Sequence, residues 1–394
     1  MSESDDSQMS HSLEMSDSDH SDQSDSFSDT SSLDNQSFSD QDSDTGLEPH
    51  ASYQDQLLAD SDYAFTTEIK EHDDTADLKE LLVAVQNNSL SALKKLLVEF
   101  KQLDTQDHSQ KAFNLIVFST VKYTPLVADS VLFRNGARGL PASSPRWPKV
   151  QSLVKSYLTS VIKLMQEMTD VSMLRFIVKY MQQSCHYLAS FPKLAKQFLK
   201  LLIDQWAHSS QDQVKVACFL TIRKLAMTCP EYLDPAIKSS QRALLSNAKD
   251  TNVHTWTSLS FMTQCIIELL GLSLPTAYQH MFVSLRQLAI MLRTATAAKV
   301  KDSYKAVYNW QCFFNLRLWG KLLCTWADPR IEPADAAILK PLVYPFVQIA
   351  TGIMKLKPSS RYFPFRLQII DLLSQVGRAT HVFVPLPAYL LEVL

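Results

Sequence analysis

From Asp77 onward apolar residues return every three or four positions, the period of an amphipathic helix. In Asp77–Asn87 they are Leu78, Leu81, Leu82 and Val85; in Ser89–Phe100 they are Leu93, Leu96, Leu97 and Phe100, with Lys94 and Lys95 on the other side. These two segments predict an antiparallel helix pair. Tyr123–Pro148 breaks the rhythm with Pro125, Pro141, Pro145 and Pro148, two glycines and the cluster Arg134, Arg138 and Arg146, and it reads as a long basic loop or a broken helix. Lys149–Met168 then places Val154, Tyr157, Leu158, Val161, Ile162 and Met165 on one stripe, and Asp170 stands as an N-cap before a helix over Met173–Leu188. Further helices are predicted at 191–207, 211–228, 231–248, 256–270, 275–298, 302–326, 335–356 and 364–376. A spacing of about 20 residues per helix, or about 40 per pair, is that of HEAT and armadillo repeats. The expected fold is therefore all-α, a HEAT/armadillo-like α-solenoid of antiparallel helix pairs over residues 77–394.

Residues 1–50 have a different texture. They form a low-complexity Ser/Asp segment with few large apolar side chains, too few to offset the entropy of ordering, and 51–76 continue as an acid-biased linker. Residues 1–76 are expected to be a disordered acidic tail. The first 69 residues hold 18 Asp or Glu and neither Lys nor Arg. Removing those from the chain's 41 acids leaves 23 against all 38 bases, so residues 70–394 carry a formal charge of +15 that the overall −3 conceals. A cationic body of this kind meets polyanions or acidic partners. In the tail, Ser2, Ser16, Ser26, Ser31, Ser37 and Ser39 each have an acid three residues later, the pattern of an acid-directed kinase, and are predicted phosphorylation sites.

Several chemistries find no support in the sequence. The seven glycines stand singly, so neither GxGxxG nor GxxxxGK[ST] is present to cradle a phosphate. The six cysteines form no CxxC and no Cys/His spacing of a zinc site, and they read as reduced core residues. Cys185 and His186 are adjacent, so on a helix their side chains diverge by about 100° and make a poor nucleophile and base. No cofactor or metal site and no enzymatic activity are expected. The acidic N-terminus lacks the apolar region of a signal peptide. Uncharged stretches such as Pro341–Met354 fall short of a membrane span, so no membrane contact is expected.

Binding surfaces are better represented. Lys193, Lys196 and Lys200 share a helix face opposite Leu194, Phe198, Leu201 and Leu202; Arg286 and Arg293 share another, opposite Phe282, Leu285 and Leu292. Both faces are candidates for contact with RNA or another polyanion. Two aromatic clusters stand out as candidate partner surfaces. SYKAVYNWQ carries Tyr304, Tyr308 and Trp310; PSSRYFPFR carries Arg361, Tyr362, Phe363 and Arg366 on a turn stiffened by Pro358 and Pro364. Tyr, Trp and Arg are the commonest interface anchors.

These stretches resemble the nucleolar complex protein 2 family. The likeness runs through WPKVQSLVKSYLTSVIKLMQEMTD at 147–170, MLRFIVKYM at 173–181, FPKLAKQFLKLLIDQW at 191–206, YQHMFVSLRQLAIMLR at 278–293, YKAVYNWQ at 304–311 and PLVYPFVQIATGIMKLKPSSRYFPFRLQIIDLL at 341–373. It implies a helical repeat protein without catalysis that acts in assembly of the large (60S) ribosomal subunit. The resemblance further implies a heterodimer with a nucleolar complex protein 1 or 3 relative, association with pre-60S particles and passage from nucleolus to nucleoplasm; together with the cationic faces it makes rRNA a candidate partner. Some metazoan members are described as histone-binding corepressors, which gives the alternative function, with histones held by the acidic tail. The chain departs from the family's Lys/Arg-rich extensions and ends in PAYLLEVL, in mid-helix by its pattern, so a C-terminal truncation is expected.

Overall fold

The computed structural model describes residues 76–102, 110–133, 140–330 and 337–392, and among these every regular element is helical. The acidic tail, with its six candidate serines, and Arg134 and Arg138 lie outside the described residues. The helices are α1 (Ala76–Gln86), α2 (Leu90–Gln102), α3 (Gln110–Leu132), α4 (Trp147–Glu167), α5 (Val171–Met181), α6 (Cys185–Leu188), α7 (Pro192–His208) and α8 (Asp212–Thr228). They continue as α9 (Leu233–Asn247), α10 (Val253–Gly271), α11 (Leu274–Ala298), α12 (Lys301–Val307), α13 (Trp310–Trp326), α14 (Val343–Leu356), α15 (Phe363–Thr380) and α16 (Pro387–Leu391).

The apolar period makes each helix and selects its buried face. In α4, Val150, Val154, Tyr157, Leu158, Val161, Ile162 and Met165 turn inward, and Pro148 occupies the first turn, where its missing N–H costs nothing. Asp170 caps α5 as expected, its carboxylate accepting from the Ser172 N–H at 3.0 Å. Packing then joins elements close along the chain: α2 on α3, α4 on α7, α5 on α8, α7 on α8 and α9, α9 on α10, α10 on α13, α11 on α14, and α13 on α15. Side chains tie these layers together. The Trp319 indole N–H donates to Ser284 Oγ at 2.8 Å and Asn315 Oδ1 at 2.9 Å, linking α13 to α11. Gln311 Nε2 donates to the Leu245 carbonyl at 2.7 Å, linking α13 to α9. At Gly320 the helices approach so closely that a Cβ would lie 2.7 Å from Leu372 Cδ1, which explains a glycine within α13.

Several boundaries correct the expectations. Tyr123–Leu132 is not loop but the second half of α3, with Pro125 inside the helix. A proline there removes the hydrogen bond to the carbonyl four residues back, and that carbonyl, Val121, receives the Tyr157 hydroxyl at 3.5 Å instead. The predicted helix over Met173–Leu188 breaks at Gln182–Ser184, a tighter 3-10 turn that re-phases the chain so that Ser184, Cys185, Tyr187 and Leu188 all face inward. The helix predicted over 302–326 is two helices, α12 and α13, parted at Tyr308–Asn309, where Asn309 Oδ1 accepts from the Cys312 N–H at 2.7 Å and starts α13 afresh. The stretch 358–362 ends in a 3-10 turn, Ser360–Tyr362, that runs directly into α15. Gln110–Leu132 and Ala337–Leu356 also prove long and apolar enough to cross a membrane by length and composition, at 23 and 20 residues, contrary to expectation. Both pack on neighbours, α3 against α2, α4 and α5 and α14 against α11 and α15, as core helices do.

Candidate functional site

The break at Asn309 matters because it places Tyr308 and Trp310 on a corner rather than along a helix. The Tyr308 hydroxyl donates to the Ile353 carbonyl at 2.9 Å and accepts from the Lys357 N–H at 3.0 Å, so the end of α14 fixes its ring. Tyr362, delivered by the 3-10 turn before α15, stacks on that ring with centroids 4.2 Å apart and planes 15° from parallel. Phe365 meets Tyr308 edge-on at 5.5 Å and Phe313 at 5.9 Å. Trp256 of α10 closes the other side, 6.3 Å from Trp310 and 6.0 Å from Phe313, with the Arg317 guanidinium 4.9 Å above its ring.

The result is an open groove of about 540 Å³, lined by Trp256, Tyr308, Trp310, Phe313, Arg361, Tyr362, Pro364, Phe365, Leu367 and neighbouring amides. Trp310 and Leu367 are each 44% exposed, a large apolar surface left in water at its edge. Arg361 is exposed on the rim and has no ion-pair partner among the described residues. Such a surface offers rigid aromatic anchors and a cation at its rim, and its lining holds no His, Cys, Ser, Thr, Lys, Asp or Glu among the described residues.

The two aromatic segments read from the sequence thus converge. Tyr308, Trp310, Arg361 and Tyr362 line one groove; Tyr304 lies half-buried beside it with the Lys357 ammonium 5.2 Å over its ring. Phe363 and Arg366 fall outside the lining. Arg366 corrects the expectation most sharply: it is wholly buried, its Nη2 pairs with Glu392, and its guanidinium lies 5.8 Å from the Phe363 ring centroid. Phe365 and Leu367 line the groove, whereas Arg366 reaches away from it to Glu392, the residue that follows α16. Sequence reasoning missed Trp256 as a site residue. No local signal marks it, because only the packing of α10 on α13 brings it to the corner.

The cationic candidates lie elsewhere. Lys193, Lys196 and Lys200 are exposed along α7; of the residues expected across from them Phe198, Leu201 and Leu202 are buried and Leu194 is half-buried, while Ala195 and Leu199 join the buried face. Arg286 and Arg293 are exposed on α11, but Phe282, expected on the opposite face, is itself half-exposed beside them. None of the five lines the groove. Burial pushes the Cys185, Cys218, Cys265 and Cys312 thiols up to about 12, far from the thiolate a nucleophile needs. Cys185 Sγ donates to the Met181 carbonyl while His186 Nε2 lies 3.1 Å from Asp129 Oδ1, so the adjacent pair serves two different contacts. Among the described residues no group of three or more His, Cys, Asp or Glu is placed to hold a metal ion.

Comparison with known proteins decides the family. Residues 231–394, which contain the whole groove, match the Noc2p family. Nucleolar complex protein 2 of Drosophila melanogaster is 35% identical over 250 residues, covering 63% of this chain and 32% of that protein. The chain belongs to the Noc2p family. Nucleolar complex-associated protein 2 of Arabidopsis thaliana is 33% identical over 249 residues, covering 63% of the chain and 32% of its own length. An uncharacterised NOC2 family protein of Schizosaccharomyces pombe is 31% identical over 324 residues, covering 78% of the chain and 46% of its own. The chain therefore spans a third to somewhat under half of these Noc2p relatives.

Proposed function

We propose that this Noc2p-family chain is a non-enzymatic scaffold of large ribosomal subunit biogenesis in the nucleolus, and that its groove seats a helical relative of the nucleolar complex protein 1 or 3 type. The observation that carries the reading is the convergence of Tyr308, Trp310, Arg361 and Tyr362, from two segments distant in sequence, on one open surface inside the family-matched region. Fixed aromatic rings lose little side-chain entropy on binding, which favours them as anchors. Packing between helices close along the chain supports an α-solenoid arrangement, a form suited to holding large partners. In this scheme the exposed Lys193, Lys196 and Lys200 face of α7 meets rRNA phosphates of the pre-60S particle, and the complex moves on into the nucleoplasm.

The test is binding of the purified chain to the two relatives, with Trp310→Ala and Tyr362→Ala combined. The affinity is expected to fall by more than about 2 kcal/mol while the melting temperature changes little. Capture of either relative at wild-type affinity by a folded double variant removes the groove from the proposal. Recovery of neither precursor rRNA nor a nucleolar complex relative with the wild-type chain from cells removes the ribosomal role.

A further inference from the structure

Helix α11 carries a second surface that the groove does not absorb. Its buried face is Leu274, Ala277, Met281, Ser284, Leu285, Leu288 and Ala295. At 100° per residue these occupy one side, and Val283, Arg286, Ile290, Arg293 and Ala297 run along the other. All five are exposed, Val283 at 53% and Ile290 at 55%, and Phe282 beside them is 50% exposed. Their spacing is three, four, three, four: a heptad seam in which an apolar residue alternates with arginine. No Asp or Glu occurs anywhere in Leu274–Ala298. The seam is apolar enough to be covered and charged enough to dictate what covers it.

We infer that this face of α11 docks an acidic amphipathic helix of a partner protein, one that sets an apolar residue against Val283 and Ile290 and a carboxylate against each of Arg286 and Arg293. The arginines are seven residues apart, about 10.5 Å along the axis, so the partner's carboxylates recur at the same heptad interval. Covering a guanidinium without an acceptor is strongly unfavourable, and a bidentate carboxylate is the group that matches it. A second copy of the same face brings further arginines and no acid, so it sets like charges together. RNA would satisfy the arginines, but the centre of the seam is aliphatic Val283 and Ile290, and the exposed Phe282 ring stands at the seam's edge rather than between the arginines, where a stacked base would need it. The assignment also moves Arg286 and Arg293 from the polyanion surface expected from sequence to a protein interface.

The test places benzoylphenylalanine at Ile290 in the full chain in cells, with the same residue at Met227, a comparably exposed site on α8, as the reference. After irradiation the attached peptide is sequenced. The expected adduct is a helical peptide with acids at heptad intervals, at a yield above the reference. Arg286→Glu with Arg293→Glu is expected to reduce the yield by about tenfold or more, with helical signal and melting temperature retained, and reversal of the facing acids to Lys to restore it. Should the charge reversal prevent folding, Arg286→Gln with Arg293→Gln serves in its place, with a smaller loss expected. An adduct lost on ribonuclease treatment, one joining two copies of this chain, a peptide without the acids, a yield equal to that at Met227, or indifference to the charge change overturns the inference.

Discussion

Helix α7 and the α13–α15 corner are built from similar sequence, apolar residues three and four apart with cations and aromatics between, yet they end as different surfaces. On α7 the division is complete: Ala195, Phe198, Leu199 and Leu202 are buried and Lys193, Lys196 and Lys200 are in water. At the corner the division fails, since Trp310 and Leu367 remain exposed while Arg366, a charge, is wholly buried. A single helix can place its own residues correctly by periodicity. Where three helices and a turn meet, each residue's exposure depends on partners the periodicity does not name. Unlike the lysine face of α7, the corner leaves apolar surface uncovered, the property expected of a binding surface rather than a solvated one.

The comparison can be broken first at its foundation. Trp319, one residue from the Gly320 contact and fully buried, holds the corner to α11 through its indole N–H. Trp319→Ala is expected to cost about 3–5 kcal/mol of stability and to leave the Ser284 and Asn315 groups without that donor. Urea denaturation measures it; a loss under about 1 kcal/mol would mean the corner is not built on this core.

The buried charge gives the next effect. Glu392→Ala leaves Arg366 in the interior without its carboxylate and is expected to cost about 2 kcal/mol, less than a fully buried pair because Glu392 is 52% exposed. Arg366→Met, which removes the charge and keeps the volume, is expected to be near neutral. Equal losses from the two substitutions would show that the pair itself, rather than the unpaired cation, governs stability.

The groove's exposed residue separates binding from folding. Trp310→Ala alone is expected to weaken capture of the nucleolar complex relative by about 2 kcal/mol and to change stability by less than about 1 kcal/mol, because the ring already stands 44% in water. The smallest effect belongs to α7. Lys193→Gln, Lys196→Gln and Lys200→Gln should each change stability by less than about 0.5 kcal/mol, and together lower the slope of log affinity against log salt for RNA by about one for each phosphate no longer neutralised. An unchanged salt slope would leave α7 as a solvated face only.

Much of the helical layout was legible because it is local. Asp170 announced its cap, and the stripes of α4 and α7 announced their buried faces. The errors share a cause. The helix was expected to run through Asn309, although an Asn before Trp-Gln-Cys is a plain N-cap candidate, and α3 was cut at a proline whose lost hydrogen bond is compensated by Tyr157, remote in sequence. In the candidate site, the aromatic and proline content of 304–311 and 358–366 was visible, but its geometry was not. Phe282 was placed in the core and Arg366 on the surface because the pattern shows which residues share a face without showing which face is covered.

The most direct measurement of the central claim is hydrogen exchange of the chain alone and in complex with a nucleolar complex protein 1 or 3 relative. Slowed exchange in the complex is expected at 253–260, 308–313 and 361–368, the three stretches that line the groove, with the exposed face of α7 unchanged by this partner. Protection confined to other helices, with those three stretches exchanging as in the free chain, would contradict the claim that the aromatic corner is where the partner docks.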